Sequence, residues 1–150
     1  MDPDFNHRDF ESLFAQPQSP LVRILDAVAD GITVQDKTGT LVYANQMAAH
    51  LMGYDTPQAV LSASLDEQLA QFDVMDEQGL PFPLERFPGR LALQGQESVP
   101  ITLRTRHKST GHERWSRVQA QVVQREDSDI AYVVNTFHDI TTLKHTEEKL

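Results

Sequence analysis

The 150-residue chain contains no cysteine, which removes disulfides, thiolate zinc centres, iron–sulfur clusters and cysteine nucleophiles together. Basic residues are scarce: 13 Lys and Arg stand against 22 Asp and Glu, for a formal charge of −9. Such a chain lacks the cationic footprint of a general nucleic-acid binder. No apolar run approaches the length that spans a bilayer, and no charged-then-apolar leader opens the sequence. A cytoplasmic location without a membrane segment is the expectation. Catalytic signatures are missing as well: there is no P-loop, H-E-x-x-H or G-x-S-x-G, nor a histidine-kinase or phosphatase motif. The acidic pairs Asp76-Glu77 and Glu126-Asp127 fall in turn-like segments, where hydration accounts for them. No catalytic residue is assigned, and this segment is not expected to be an enzyme.

What is present suits one folded domain with short extensions, since 39% of residues are hydrophobic and 23% charged. Near the start, Phe10, Leu13 and Phe14 hold a helical spacing that Pro17 interrupts. Ser19-Pro20 then reads as an N-cap with proline in the first helical position. Leu21, Ile24, Leu25 and Val28 follow at i, i+3, i+4 and i+7, an amphipathic helix ending near Gly31. Ile32 and Val34 alternate with polar neighbours, and Lys37-Thr38-Gly39 turns the chain into Leu41-Val42-Tyr43, a hairpin. Asn45 stands where a short helix begins, with Met47, Ala48, Leu51 and Met52 on its apolar side and Gly53 just past its end. Ser64 and Glu67 form a capping box for another short helix.

Phe72 to Met75 alternates like a strand and meets a turn at Asp76–Gly79. The prolines at 81 and 83 keep Leu80–Pro83 out of a central strand. Pro88 starts a helix through Leu91 and Leu93, stopped by Gly95. Thereafter Val99, Ile101 and Leu103 alternate, as do Ser116, Val118, Ala120 and Val122 against Trp115, Arg117, Gln119 and Gln121. Ile130 to Phe137 is the most continuous apolar strand. Two strands, several short helices, then three long strands predict an α+β domain, with a five-stranded antiparallel sheet and short helices on one face.

Several short motifs in this order carry a family resemblance. They are Gly31–Asp36 with Leu41–Asn45, then Gly53-Tyr54, Phe72 through Pro83, Leu91–Gly95, Trp115, and Asp139-Ile140-Thr141 at the close. From about Ser19 to Thr141 the chain resembles the PAS fold, in the version with an additional C-terminal (PAC-type) motif, as in bacterial sensor histidine kinases and related signalling proteins. On this reading residues 1–18 are an N-terminal extension, 19–140 the PAS sensor domain, and 141–150 the start of a C-terminal signalling helix. Ile140, Leu143 and Leu150 fit a/d heptad positions, with Glu147 in the intervening a site. The chain therefore reads as part of a longer protein.

The resemblance implies a sensory or regulatory domain of a bacterial signal-transduction protein. It would sense a small ligand or partner and relay the signal through the C-terminal helix to an effector such as a histidine kinase. The alternative is a ligand-free dimerisation or protein-interaction scaffold. Some relatives use a flavin–cysteine adduct, which the missing cysteine excludes here. Others hold haem through a histidine before the third strand, and Pro83 to Gln96 contain none. A non-covalently held flavin or a small apolar ligand stays compatible with the sequence. His50 lies off its helix's apolar side and reads as exposed. His107 and His112 flank a turn without a third ligand, a poor zinc site, so no metal is assigned.

If Phe137 points inward, as the resemblance implies, Val133 and Asn135 do too. The candidate pocket lining is then Phe87, Leu91, Ile101, Leu103, Val118, Ala120, Val133, Asn135 and Phe137. Asn135 either bonds a ligand or water, or is a core amide satisfied by backbone. The signalling junction is Asp139, Ile140 and Thr141, with Asp139 accepting a hydrogen bond or salt bridge and Thr141 capping the tail. The outward face carries Trp115, Arg117, Val134, Thr136 and His138. An exposed tryptophan beside Val134 predicts a cover, either the N-terminal helix (Leu21, Ile24, Leu25, Val28) or a second subunit of a homodimer.

Overall fold

The computed structural model describes residues 30–124, 126 and 129–148, together with Pro20 and Ile24. Strand β1 (Gly31–Asp36) turns into β2 (Leu41–Ala44). The turn is held by Asp36 Oδ1, which accepts the N–H groups of Thr38 and Thr40 at 2.9 and 3.1 Å. Gly39 supplies the left-handed residue, with φ +89°.

Asn45 then does three jobs from a fully buried position. Its Oδ1 caps α1 (Gln46–Leu51) by accepting the Ala48 N–H at 2.8 Å and also takes the Ile32 N–H at 2.9 Å. Its Nδ2 donates to the Asp30 carbonyl at 3.0 Å. One side chain thus ties the helix start to the first strand. Helix α2 (Pro57–Ser62) is capped by Thr56, and α3 (Leu65–Ala70) by the Ser64/Glu67 capping box that the spacing predicts. After β3 (Phe72–Met75) and a 3₁₀ turn (Leu84–Arg86) comes α4 (Pro88–Leu93). Strands β4 (Ile101–His107), β5 (Glu113–Gln124) and β6 (Ile130–Asp139) lead to α5 (Thr141–Glu148).

The sheet is antiparallel in the order β2-β1-β6-β5-β4-β3. It has six strands, one more than expected. The addition is β3, whose Phe72 pairs with His107 and Met75 with Arg104 along one edge. Its alternation reads as a strand, but the count of five leaves it out of the sheet; all four of its residues are half-buried. Leu80–Pro83 stays outside the named strands as the prolines demand, touching the sheet only by a bridge from Pro81 to Met75.

Helices α1 to α4 have six residues each. The residues that α1, α2 and α4 bury are small: Ala48 and Ala49, then Val60, then Pro88, Gly89 and Ala92. Such a layer cannot fill the space above the sheet. The opposite face is also buried, through a cluster of Ile32, Val34, Tyr43 and Tyr132. Of the N-terminal helix predicted to cover that side, Leu21, Leu25 and Val28 lie outside the described residues. Ile24 is 64% exposed.

Asn45→Ala removes a cap and strands two buried donors or acceptors, so it should cost about 2–4 kcal/mol. Urea denaturation reads this as a lower midpoint at unchanged slope. A loss under about 1 kcal/mol would contradict the three-way role.

A candidate ligand cavity and its exit junction

Between the inner face of the sheet and the helices lies a cavity of about 730 Å³, within the size range of small-molecule sites, roughly 300–1,000 Å³. Its wall is mostly apolar, including Leu51, Met52, Val60, Phe72, Leu93 and Leu103. Of the expected lining, Phe87, Leu103, Val118, Asn135 and Phe137 face this space. Ile101, Ala120 and Val133 share that face by register, through the pairs Ile101–Val118, Ala120–Asn135 and Val122–Val133, but are not part of the wall. Val133 is fully buried core. Leu91 is replaced by other faces of α4, since Pro88, Gly89, Arg90 and Leu93 line the space.

Asn135 is 7% exposed and its amide is committed within the protein. Nδ2 donates to Thr33 Oγ1 at 3.3 Å and to Gln35 Oε1 at 3.1 Å, while Gln35 Nε2 donates to the Gly39 carbonyl at 3.3 Å. Both amide protons therefore have protein partners, but these are the side chains of Thr33 and Gln35 rather than the backbone that the core-amide alternative named. Gly89 makes room for the group. A Cβ there would stand 2.5 Å from Asn135 Oδ1 and 2.9 Å from Gln35 Oε1.

One charged member of the wall, Arg114, is not among the expected lining residues. It lies two residues before Ser116 on β5, and extending that alternation by one step would have found it. Arg114 Nη1 reaches Asp139 Oδ2 at 3.3 Å. The other carboxylate oxygen, Oδ1, accepts the Thr141 hydroxyl and the Thr141 N–H, the latter at 2.9 Å. Thr141 Oγ1 in turn accepts the Trp115 N–H at 2.9 Å, and the Ile140 N–H donates to the Trp115 carbonyl at 2.8 Å. The three residues assigned to the junction are thus knotted to β5, and Asp139 connects the knot to a side chain of the cavity wall. Burial pushes the Asp139 carboxyl up, but the Thr141 hydroxyl and N–H and the Arg114 guanidinium outweigh it, holding it below its ordinary range.

Trp115 lies on the outward face, but it is only 8% exposed in the single chain. Arg104 and Lys144 stand over its ring at 5.3 and 5.4 Å. Arg104 is anchored to Glu113 at 2.9 Å, and Lys144 comes from α5. The exposed tryptophan that argued for a second subunit is therefore absent, because this chain's own helix and a cross-strand arginine cover the indole. Contrary to the expectation from the sequence, Val134 is not its neighbour: it pairs with Gln121, six residues further along β5, and is half-buried against the Ile32 cluster. Arg117 and His138 are exposed, and His138 Nδ1 sits 2.6 Å from Asp30 Oδ1. His50 and His112 are exposed, while His107 is half-buried with its ring edge-on to Phe72. Among the described residues no group of His, Asp and Glu is placed to hold a metal ion. Nor is any helix there long and apolar enough to cross a membrane.

Two outcomes follow from this geometry. Gly89→Ala should cost about 1–3 kcal/mol through overpacking against Asn135, and a wild-type denaturation midpoint would contradict the close approach. Because its folded pKa is depressed, Asp139 contributes stability above its unfolded pKa and loses it as pH falls through the folded value. Discounted for its partial exposure, that contribution is below about 1 kcal/mol. The stability gap between wild type and Asp139→Asn should close in acid and open toward neutral pH. A gap independent of pH would rule out the ionised tie.

No curated protein is similar enough in sequence to be matched. Solved structures are. An RNA-binding light-oxygen-voltage receptor is 27% identical, with a TM-score of 0.59 over 81% of this chain, which spans only 32% of the receptor's length. The PAS domain of nitrogen regulation protein NR(II) from Vibrio parahaemolyticus aligns at 14% identity and TM-score 0.56, covering 82% of this chain and 100% of that one. The N-terminal domain of a diguanylate cyclase with PAS/PAC sensor from Marinobacter aquaeolei aligns at 19% and 0.54, covering 77% and 98%. These last two likenesses speak to the fold alone. A PAS domain family model matches residues 21–86. With the helix-covered antiparallel sheet and the cavity beneath those helices, the chain has a PAS-like α+β fold.

Proposed function

We propose that this is the sensory domain of a cytoplasmic bacterial signal-transduction protein, without catalysis of its own. A small molecule in the cavity shifts the balance between two arrangements of the Asp139–Thr141 junction. Helix α5 carries that shift to an effector such as a histidine kinase. The observation that supports this reading is Arg114, which lines the cavity and pairs with Asp139 at 3.3 Å. A ligand moves such an equilibrium only by binding the two arrangements unequally. A tenfold preference corresponds to about 1.4 kcal/mol, comparable to the loss of one or two of the hydrogen bonds in the knot. A scaffold that only holds partners together needs no cavity of about 730 Å³, and unfilled apolar volume costs stability.

The test has two parts. Denaturing extraction of the protein purified from its native host, read by mass spectrometry, should release a small molecule, and an absorption spectrum decides whether it is a flavin. Filling the cavity with Leu103→Trp should abolish that release and change hydrogen exchange at the amides of residues 140–148. A protein that releases nothing, with exchange in α5 indifferent to the substitution, would leave the scaffold as the better account.

A further inference from the structure

We infer that the cavity takes an amphipathic organic acid, an apolar body bearing one carboxylate, and that Arg114 binds this group in competition with Asp139. The inference rests on the sensory reading and names its ligand class. It starts from a reversal of charge. The chain carries a formal charge of −9, yet the charged side chains among the described residues lining the cavity are Lys37, Arg90 and Arg114, with no Asp or Glu. Lys37 and Arg90 are exposed. Arg114 lies deeper, its side chain 24% exposed.

A guanidinium against an apolar wall interacts more strongly with an anion than one in water does, and its planar fork matches a carboxylate with two parallel hydrogen bonds. The ion pair it makes now is long, 3.3 Å, and uses one nitrogen, Nη1. Among the neutral polar residues of the wall, Asn135 is already engaged, donating both amide protons to Thr33 and Gln35. A single inner cation suits a monoanion, because a dianionic phosphate would bring more charge into the apolar space than Arg114 can balance. The remaining wall, with Leu103, Val118 and Phe137, suits a hydrocarbon or aromatic body.

Competition gives the ligand its leverage. When Arg114 turns to the incoming carboxylate, Asp139 keeps Thr141 but loses its tie to the cavity wall. Coupling of this kind is reciprocal: a junction without the Asp139 charge must bind the acid more tightly.

The experiment is calorimetric titration of the protein with hexanoate, decanoate, dodecanoate and 1-naphthoate, each beside its uncharged primary amide. At least one acid should bind about tenfold more tightly than its amide. Arg114→Gln should erase that preference, and Asp139→Asn should increase it several-fold, an outcome that misfolding would not produce. Amides binding as well as acids would overturn the anion inference while leaving a sensory cavity in place. A preference that survives Arg114→Gln, or falls with Asp139→Asn, would overturn the role of Arg114. Silence from every acid and amide, with nothing released on denaturing extraction, would remove the sensory reading as well.

Discussion

A sheet of six strands presents more inner surface than helices of six residues can cover when they bury alanine, glycine and valine. That mismatch is the constraint behind everything else here. Interiors normally close to the density of organic crystals, and leaving volume open forfeits dispersion contacts. The fold tolerates the loss because its stability comes from elsewhere. The buried side chain of Asn45 stitches the first helix to the first strand, and a tight outer cluster of Ile32, Val34, Tyr43 and Tyr132 packs the opposite face. The cavity is framed by parts that do not depend on filling it.

The strand order makes the framed space consequential. Pairing of β1 with β6, Thr33 opposite Asn135, puts the beginning and end of the domain side by side. The same neighbourhood brings His138 to Asp30. One residue pair further along, β6 leaves the sheet opposite Ser116 and the chain turns into α5. There the polar knot of Asp139, Thr141 and the Trp115 backbone fixes the exit on one side. Lys144, over the Trp115 ring and 3.8 Å from Glu77, holds the helix down on the other. A change at the cavity wall thus has a short path outward through Arg114, which pairs with Asp139.

Local rules were legible in the sequence because they act over a few residues. The Asn45 cap, the Ser64/Glu67 capping box, the glycine turns and the parity of β6 follow from backbone hydrogen bonding and the two-residue period of a strand. What escaped depends on position in three dimensions. Strand β3 was legible as a strand from its alternation, but its place at the sheet edge is set by pairing with β4. Trp115 lies on the expected face, but α5 and Arg104 cover it, and neither is near it in sequence. Leu91 belongs to a helix whose rotation about its axis is set by Gly89 fitting against Asn135. Arg114 escaped for a plainer reason: it stands just ahead of an alternating run, where a charged residue reads as surface, although the two-residue period from Ser116 points it inward.

Trp115 is the single tryptophan of the chain, and it lies beneath Lys144 of the exit helix, which makes its fluorescence a direct report on the junction. If cavity and junction are one coupled unit, occupying the cavity should shift the Trp115 emission to longer wavelength and raise its accessibility to a soluble quencher. A cavity demonstrably filled, with emission and quenching of Trp115 unchanged, would contradict the account.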